Sequence, residues 1–244
     1  MTVKKLLTVV ELLLILVVFA CALFLGFYFY QSHQTKTEMV EIKEQIPEEV
    51  DYTKYRDGIF DVYYDLYTQN EDFSGWIKVP NTAIDYPVMQ AEDNEFYLHS
   101  DFYKEYRYSG IPFADYQCDL YTPSTNIIIY AHNMKDGSMF ASLSKYKDEE
   151  FYKQNKIISF NTLYDTGEYE VIGAFRTTPK QFNYHEFIDA KTRADFDTFI
   201  SGVKRLSLYE TDVNAEYGDR LLTLSTCSHN SDGERFVVVA KKID

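Results

Sequence analysis

Cysteine is scarce in this chain and odd in number: 244 residues contain three, Cys21, Cys118 and Cys227. A domain stapled by disulfides needs an even set, so the count speaks against a disulfide framework and for a reactive thiol. Basic residues are also short, 24 Lys and Arg against 38 Asp and Glu, for a formal net charge of −14. The acidity is spread along the chain, which argues against nucleic acid as a partner and against strong attraction to anionic lipid. There is no internal repeat, no low-complexity tract and no Gly-rich phosphate loop. The histidines and carboxylates show no paired ligand spacing, so neither metal nor cofactor is expected.

What is present begins with one long apolar run. From 6 to 30 nearly every residue is hydrophobic or aromatic. At about 1.5 Å per residue this run exceeds the ~30 Å hydrocarbon core of a bilayer, which predicts a single transmembrane anchor. Lys4 and Lys5 precede it, so residues 1–5 are expected in the cytoplasm and the rest of the chain outside. Glu11 is near enough to the cytoplasmic end to reach the headgroups, and Phe27-Tyr28-Phe29-Tyr30 suits the outer interface. Two other readings stay open. A signal peptide cut at Ala20-Cys21-Ala22 is opposed by the apolar and aromatic residues that follow, and a lipoprotein signal ending at Cys21 by the bulk of Phe19.

Residues 31–54 carry Glu38, Glu41, Glu44, Glu48 and Glu49 with Pro47 as the single breaker. They read as a mobile or loosely helical linker that holds the body off the membrane. The remainder, 55–244, is one domain with a full core. Ile59, Phe60, Tyr63, Leu66 and Tyr67 recur at helical spacing. Eight short apolar runs bounded by turn residues follow, at 75–79, 85–89, 110–114, 126–131, 156–160, 168–175, 220–226 and 236–241. They predict a mostly β fold, an eight-stranded closed barrel with added helices. Between the sixth and seventh runs, Phe196, Phe199, Ile200 and Val203 mark a helix whose stripe is ordinary packing against the barrel.

The chemistry concentrates at the ends of these runs. Cys227 closes the run 221–226, and Arg235 stands at the head of 236–239. The connecting segment includes Asn230, Ser231, Asp232 and Gly233, the composition of a turn, so a hairpin brings Cys227 and Arg235 side by side. A thiol beside a fixed positive charge can react as thiolate and have a developing oxyanion stabilised. A cysteine nucleophile needs a proton-exchanging partner, so the five histidines are sorted by context. His132 ends the run 127–131, again at a strand terminus. His33 lies in a polar stretch beside the anchor, and His99, His185 and His229 are in mixed polar contexts; His229 is the rival, two residues from the cysteine. The plain alternative for His132 is a satisfied core histidine.

Several segments in order carry a family resemblance: Asn70-Glu71-Asp72-Phe73-Ser74-Gly75-Trp76-Ile77, Asp85-Tyr86-Pro87-Val88-Met89-Gln90, Asp93-Asn94-Glu95-Phe96-Tyr97-Leu98, Tyr130-Ala131-His132-Asn133-Met134, Gly137-Ser138-Met139-Phe140 and Thr223-Leu224-Ser225-Thr226-Cys227. From about residue 55 onward the chain resembles the sortases, membrane-anchored cysteine transpeptidases of Gram-positive bacteria, and specifically class B. Ala131 stands where the family commonly has glycine, which puts the local loop geometry in question. The resemblance implies catalytic roles for His132, Cys227 and Arg235, and a peptide groove with Asn94, Leu98, Tyr184, Ser225 and Thr226. For Leu98 a buried helix residue is the competing reading. It further implies that 176–208 helps recognise substrate through a long helix in the crossover.

The implied reaction cleaves an Asn-Pro-x-Thr-type sorting signal of an exported protein after Thr, through a thioacyl intermediate, and joins the protein to a cell-wall amine. With ordinary pKa values of about 8.5 for Cys and 6.5 for His, roughly 3% of the thiol is ionised at pH 7. Either the pair is tuned or a minor population reacts, and the sequence does not choose. Other readings stay on the table. An L,D-transpeptidase would want Ser-x-Gly-Cys with arginine next, whereas Cys227 sits between Thr226 and Ser228. A papain-like protease has the reverse order of Cys and His. An inactive, membrane-tethered peptide-binding module would keep the barrel. A pilin-polymerising sortase is a further possibility, but no lid of the type its class carries is recognisable, which favours wall anchoring.

Overall fold

Apolar residues at nearly every position of 236–240 call for a strand covered on both faces, and that is how the C-terminal strand is used. In a computed structural model, which describes residues 3–227 and 233–243 with side chains from residue 7 onward except those of residues 9 and 227, β10 (Arg235–Lys242) is fully buried from Phe236 to Ala240. Phe236, Val238 and Ala240 point into the barrel core, while Val237 and Val239 face a second cluster outside it. The expected loop 228–234 falls mostly on 228–232, and His229 with it; these lie outside the described residues.

The barrel strands are β3 (Phe73–Lys78), β4 (Asp85–Met89), β5 (Phe113–Ala114), β6 (Asn126–Tyr130), β7 (Ile157–Thr162), β8 (Glu168–Thr177), β9 (Leu221–Cys227) and β10. They close in the order β10-β8-β7-β3-β4-β5-β6-β9, an eight-stranded barrel as the run pattern predicts. Two neighbouring pairs are parallel, β4 with β5 and β6 with β9. In β7 burial alternates residue by residue, the mark of a strand with one covered face.

Outside the barrel, α4 (Arg193–Leu206) packs on β8 in the crossover to β9. A capping box starts it: Thr192 accepts from the Asp195 amide and Asp195 from the Thr192 amide, a device worth about 1 kcal/mol. Phe196, Phe199, Ile200 and Val203 are buried against Ile172, Phe175, Val237 and Val239, each contributing about 1.5–3 kcal/mol.

Three sequence expectations change. Ile59 and Phe60 belong to a hairpin, β1 (Tyr55–Arg56) and β2 (Ile59–Phe60), not to the helix, which begins at Asp61 as α2 (Asp61–Gln69). The cause is the Asp57-Gly58 turn, both residues at positive φ, the conformation a two-residue hairpin loop requires. The third run shrinks to Phe113–Ala114 because its first residues are tied to a neighbouring turn: the Gly110 amide bonds the Arg107 carbonyl and the Ile111 amide the Tyr97 carbonyl, and only from the Pro112 carbonyl, which accepts from Met89 of β4, does the run join the sheet. Finally, of the linker 31–54 expected as mobile or loosely helical, residues 31–44 take the helical form. They continue the apolar helix without a break as α1 (Val3–Glu44) and dock on the body.

The docking is specific. Thr35, Glu38, Met39 and Ile42 are buried. The Thr35 and Ser109 hydroxyls lie 3.0 Å apart, and Arg107 reaches Glu38 at 3.0 Å and Asp101 at 2.7 Å. Both carboxylates are almost fully covered, so the guanidinium between them is what makes their burial tolerable. Arg107→Gln is expected to lower unfolding stability by about 3 kcal/mol and to expose 31–44 to rapid hydrogen exchange; unchanged exchange there would show that the clamp contributes little.

Candidate active site

The parallel pairing of β6 and β9 sets the site. Tyr130 lies in register with Ser225, so two residues farther along each strand His132 and Cys227 leave the same rim of the barrel. On the other side of β9, antiparallel β10 begins with Arg235 directly opposite Cys227. The end of β6 and, some ninety residues later, two consecutive strands therefore deliver imidazole, cysteine and guanidinium positions to one mouth. The Cys227 side chain lies outside the described residues; its placement is that of its backbone.

His132, Arg235, Asn94, Leu98, Ser225 and Thr226 line one groove of about 190 Å³. His132 is half-buried, and its Nε2 lies 2.9 Å from the Leu98 carbonyl oxygen. A carbonyl only accepts, so Nε2 carries the hydrogen and Nδ1 is left to exchange protons. Leu98 closes a short 3-10 turn, Phe96–Leu98, and its carbonyl is held from behind: a side chain at Gly110 would place its Cβ 2.6 Å from that oxygen. Gly110 also has φ +54°, so glycine is needed there twice over.

His132 is held below the ordinary imidazole value, first by burial and then by the nearby His99 and Arg235 charges, against an opposing pull from the Leu98 carbonyl. The neutral ring is thus the resting form near pH 7. The His99 ring is 5.7 Å from that of His132. His99→Gln removes one repulsive neighbour and is expected to move the His132 midpoint upward in an imidazole NMR titration. A midpoint that stays put would leave burial and Arg235 as the effective causes.

Below the groove, polar side chains brace its walls. Asn94 donates to Asp115 at 2.9 Å and accepts from the Tyr116 amide, and the Tyr130 hydroxyl donates to the same Asp115 oxygen at 3.0 Å. Asp115 is buried and ties two groove residues together. Tyr184 does not open on the groove: it is buried and lies 2.7 Å from the Ser225 hydroxyl, bracing that residue from beneath. Of 176–208, Thr177 pairs with Arg235 in the ladder and Tyr184 braces Ser225, while α4 faces the outer cluster. Thr226 donates to the Ala131 carbonyl at 2.7 Å, and Ala131 donates to the Ser225 carbonyl at 3.3 Å. Ala131 is not among the positive-φ residues, so alanine in place of glycine fits the loop without strain.

Sequence reasoning assigned no part to His99, to Asp115 or to the Leu98 carbonyl. Spacing carries no sign of the first two; the third is a backbone group, which no residue type announces. Cys118 is a different kind of thiol from a nucleophile: it is buried at the Asn126 carbonyl and Ile128 amide, and burial pushes it up to about 12. Among the described residues no group of three or more His, Cys, Asp or Glu is placed to hold a metal.

The chain matches a family model described as the sortase domain over residues 77–243. Sortase B of Staphylococcus aureus is 32% identical over 245 aligned residues, spanning 100% of this chain and 99% of that protein. Sortase B of Listeria monocytogenes is 34% identical over 221, spanning 90% of this chain and 89% of that protein. The solved Staphylococcus aureus sortase B–substrate complex superposes with a TM-score of 0.78 at 32% identity, covering 88% of this chain and 99% of that one.

Proposed function

Because the chain belongs to the sortase family, and within it to the class B cysteine transpeptidases, we propose that it cuts an Asn-Pro-x-Thr-type sorting signal after threonine and passes the acyl group to a cell-wall amine. The observation that carries this is the convergence at one barrel rim of His132, Arg235 and the backbone position of Cys227. That the Staphylococcus aureus relative was solved with substrate supports a peptide as the ligand of this groove.

The steps follow from the groups. Cys227 sulfur gives its proton to neutral His132 and attacks the threonine carbonyl carbon, and the carbonyl π electrons move onto oxygen. Arg235 donates hydrogen bonds to that oxyanion. As the carbonyl re-forms, the C–N bond breaks and His132 returns the proton to the departing amine, leaving a thioester. The incoming amine then attacks the thioester and His132 takes its proton; as the C–S bond breaks, His132 passes that proton to the departing sulfur, restoring the thiol and the neutral ring. The 2.9 Å contact with the Leu98 carbonyl keeps the hydrogen on Nε2, so that Nδ1 is the nitrogen that takes and returns the proton.

In this reading α1 holds the enzyme at the outer membrane face as a single-pass anchor with its N-terminus inside. Its apolar part is long enough to cross a bilayer, and residues such as Leu12, Leu16 and Phe24 are bare on the protein's surface. The test combines the purified chain with a peptide containing Asn-Pro-x-Thr and with triglycine. A mass increment on Cys227 and a peptide–triglycine amide are expected; an unmodified thiol together with an uncut peptide would overturn the reading.

A further inference from the structure

Between the upper part of α1 and the body lies a slot of about 290 Å³ that the proposed chemistry does not use. Phe24, Phe27 and Tyr28 of the helix face Tyr106, Tyr108 and Met134 of the body across it. The rings are bare for their type: Phe24 is 69% exposed, Phe27 55%, Tyr106 64% and Tyr108 53%. Soluble surfaces seldom gather so many uncovered aromatics, and a contiguous apolar patch marks a surface that something covers.

Two features say what covers it. The helix side of the slot is continuous with the apolar run, at the level where a bilayer of ~30 Å gives way to the headgroups and where Tyr and Phe rings settle. The body side is held there rigidly, since Tyr106 and Tyr108 flank Arg107, whose bonds to Glu38 and Asp101 fix helix to barrel. At the rim Lys135 supplies an ammonium suited to a phosphate, while Asp136 is occupied by Ser32 and by Lys36 at 3.7 Å.

We propose that this slot binds a phospholipid of the outer leaflet, its acyl chain between the two sets of rings and its phosphate near Lys135. The proposal rests on the membrane-anchored reading of α1. It gives the body a defined seat on the bilayer in place of a tether's freedom. Met134 and Lys135 belong to the loop that leaves His132, so the seated lipid abuts the segment carrying the base and the groove opens close to the membrane surface.

The experiment uses the full chain in phosphatidylcholine vesicles, with and without bromine on the acyl chains, and Tyr108→Trp as reporter. Trp76, the chain's single tryptophan, is buried, so the parent protein is the control. Tyr108→Trp is expected to lose about half of its added emission in brominated lipid, as a ring set at the acyl boundary should, while the parent emission holds. If the chain floats with vesicles but the Tyr108→Trp emission is the same in both lipids, the slot is not a lipid site and the anchor stands. If the chain does not float, the anchor reading falls and the lipid seat falls with it.

Discussion

Replacing Cys227 by alanine is expected to abolish transpeptidation, by a factor on the order of 10⁴ or more in kcat, while peptide affinity stays near that of the parent. The split between rate and affinity is what makes this informative. Cys227 ends β9 with its backbone paired to Arg235 at the rim, and the change removes the attacking atom of the proposed reaction. Peptide held by the remaining groove walls should bind as before, measured by calorimetry or by fluorescence of a labelled peptide. Turnover that survives in the alanine variant would move the nucleophile to another residue.

Arg235→Lys is the second large effect. Charge is kept, but a planar fork of donors becomes a single ammonium on a flexible stem, which cannot point two parallel N–H bonds at a tetrahedral oxyanion. A loss of about 10²–10³ in kcat is expected, on the order of 3–4 kcal/mol in the barrier. Arg235 also lies near enough to depress His132, and lysine retains that influence. The His132 midpoint should therefore move little while the rate falls, and near-normal turnover would remove Arg235 from oxyanion stabilisation.

The barrel was legible because its strands are unusually explicit. Runs such as 127–129 and 236–240 are apolar at consecutive positions, which only strands covered on both faces can use, and here the cover is core on one side and α4 on the other for β10. The positions of Cys227, His132 and Arg235 were legible for a related reason: each polar residue interrupts an apolar run at its end, where the chain leaves the sheet. What escaped was decided by non-local contacts. Asp57-Gly58 signals a hairpin, but the helical spacing of Ile59 through Tyr67 overrode it. Glutamates in 31–49 read as solvated, yet Glu38 is buried because Arg107, far away in sequence, meets it. His99 and Asp115 have unremarkable neighbours and acquire their places only when the 3-10 turn and β5 close on β6.

The strand order has a consequence for the life of the chain. β9 inserts between β6 and β10, so the imidazole is synthesised and extruded well ahead of the segments that bring sulfur and guanidinium beside it. A truncated product that stops short of β9 lacks the staves that shut the barrel and, on the proposed chemistry, the atom that attacks. On the proposed chemistry, reactivity is thus postponed until β9 and β10 take their places in the barrel.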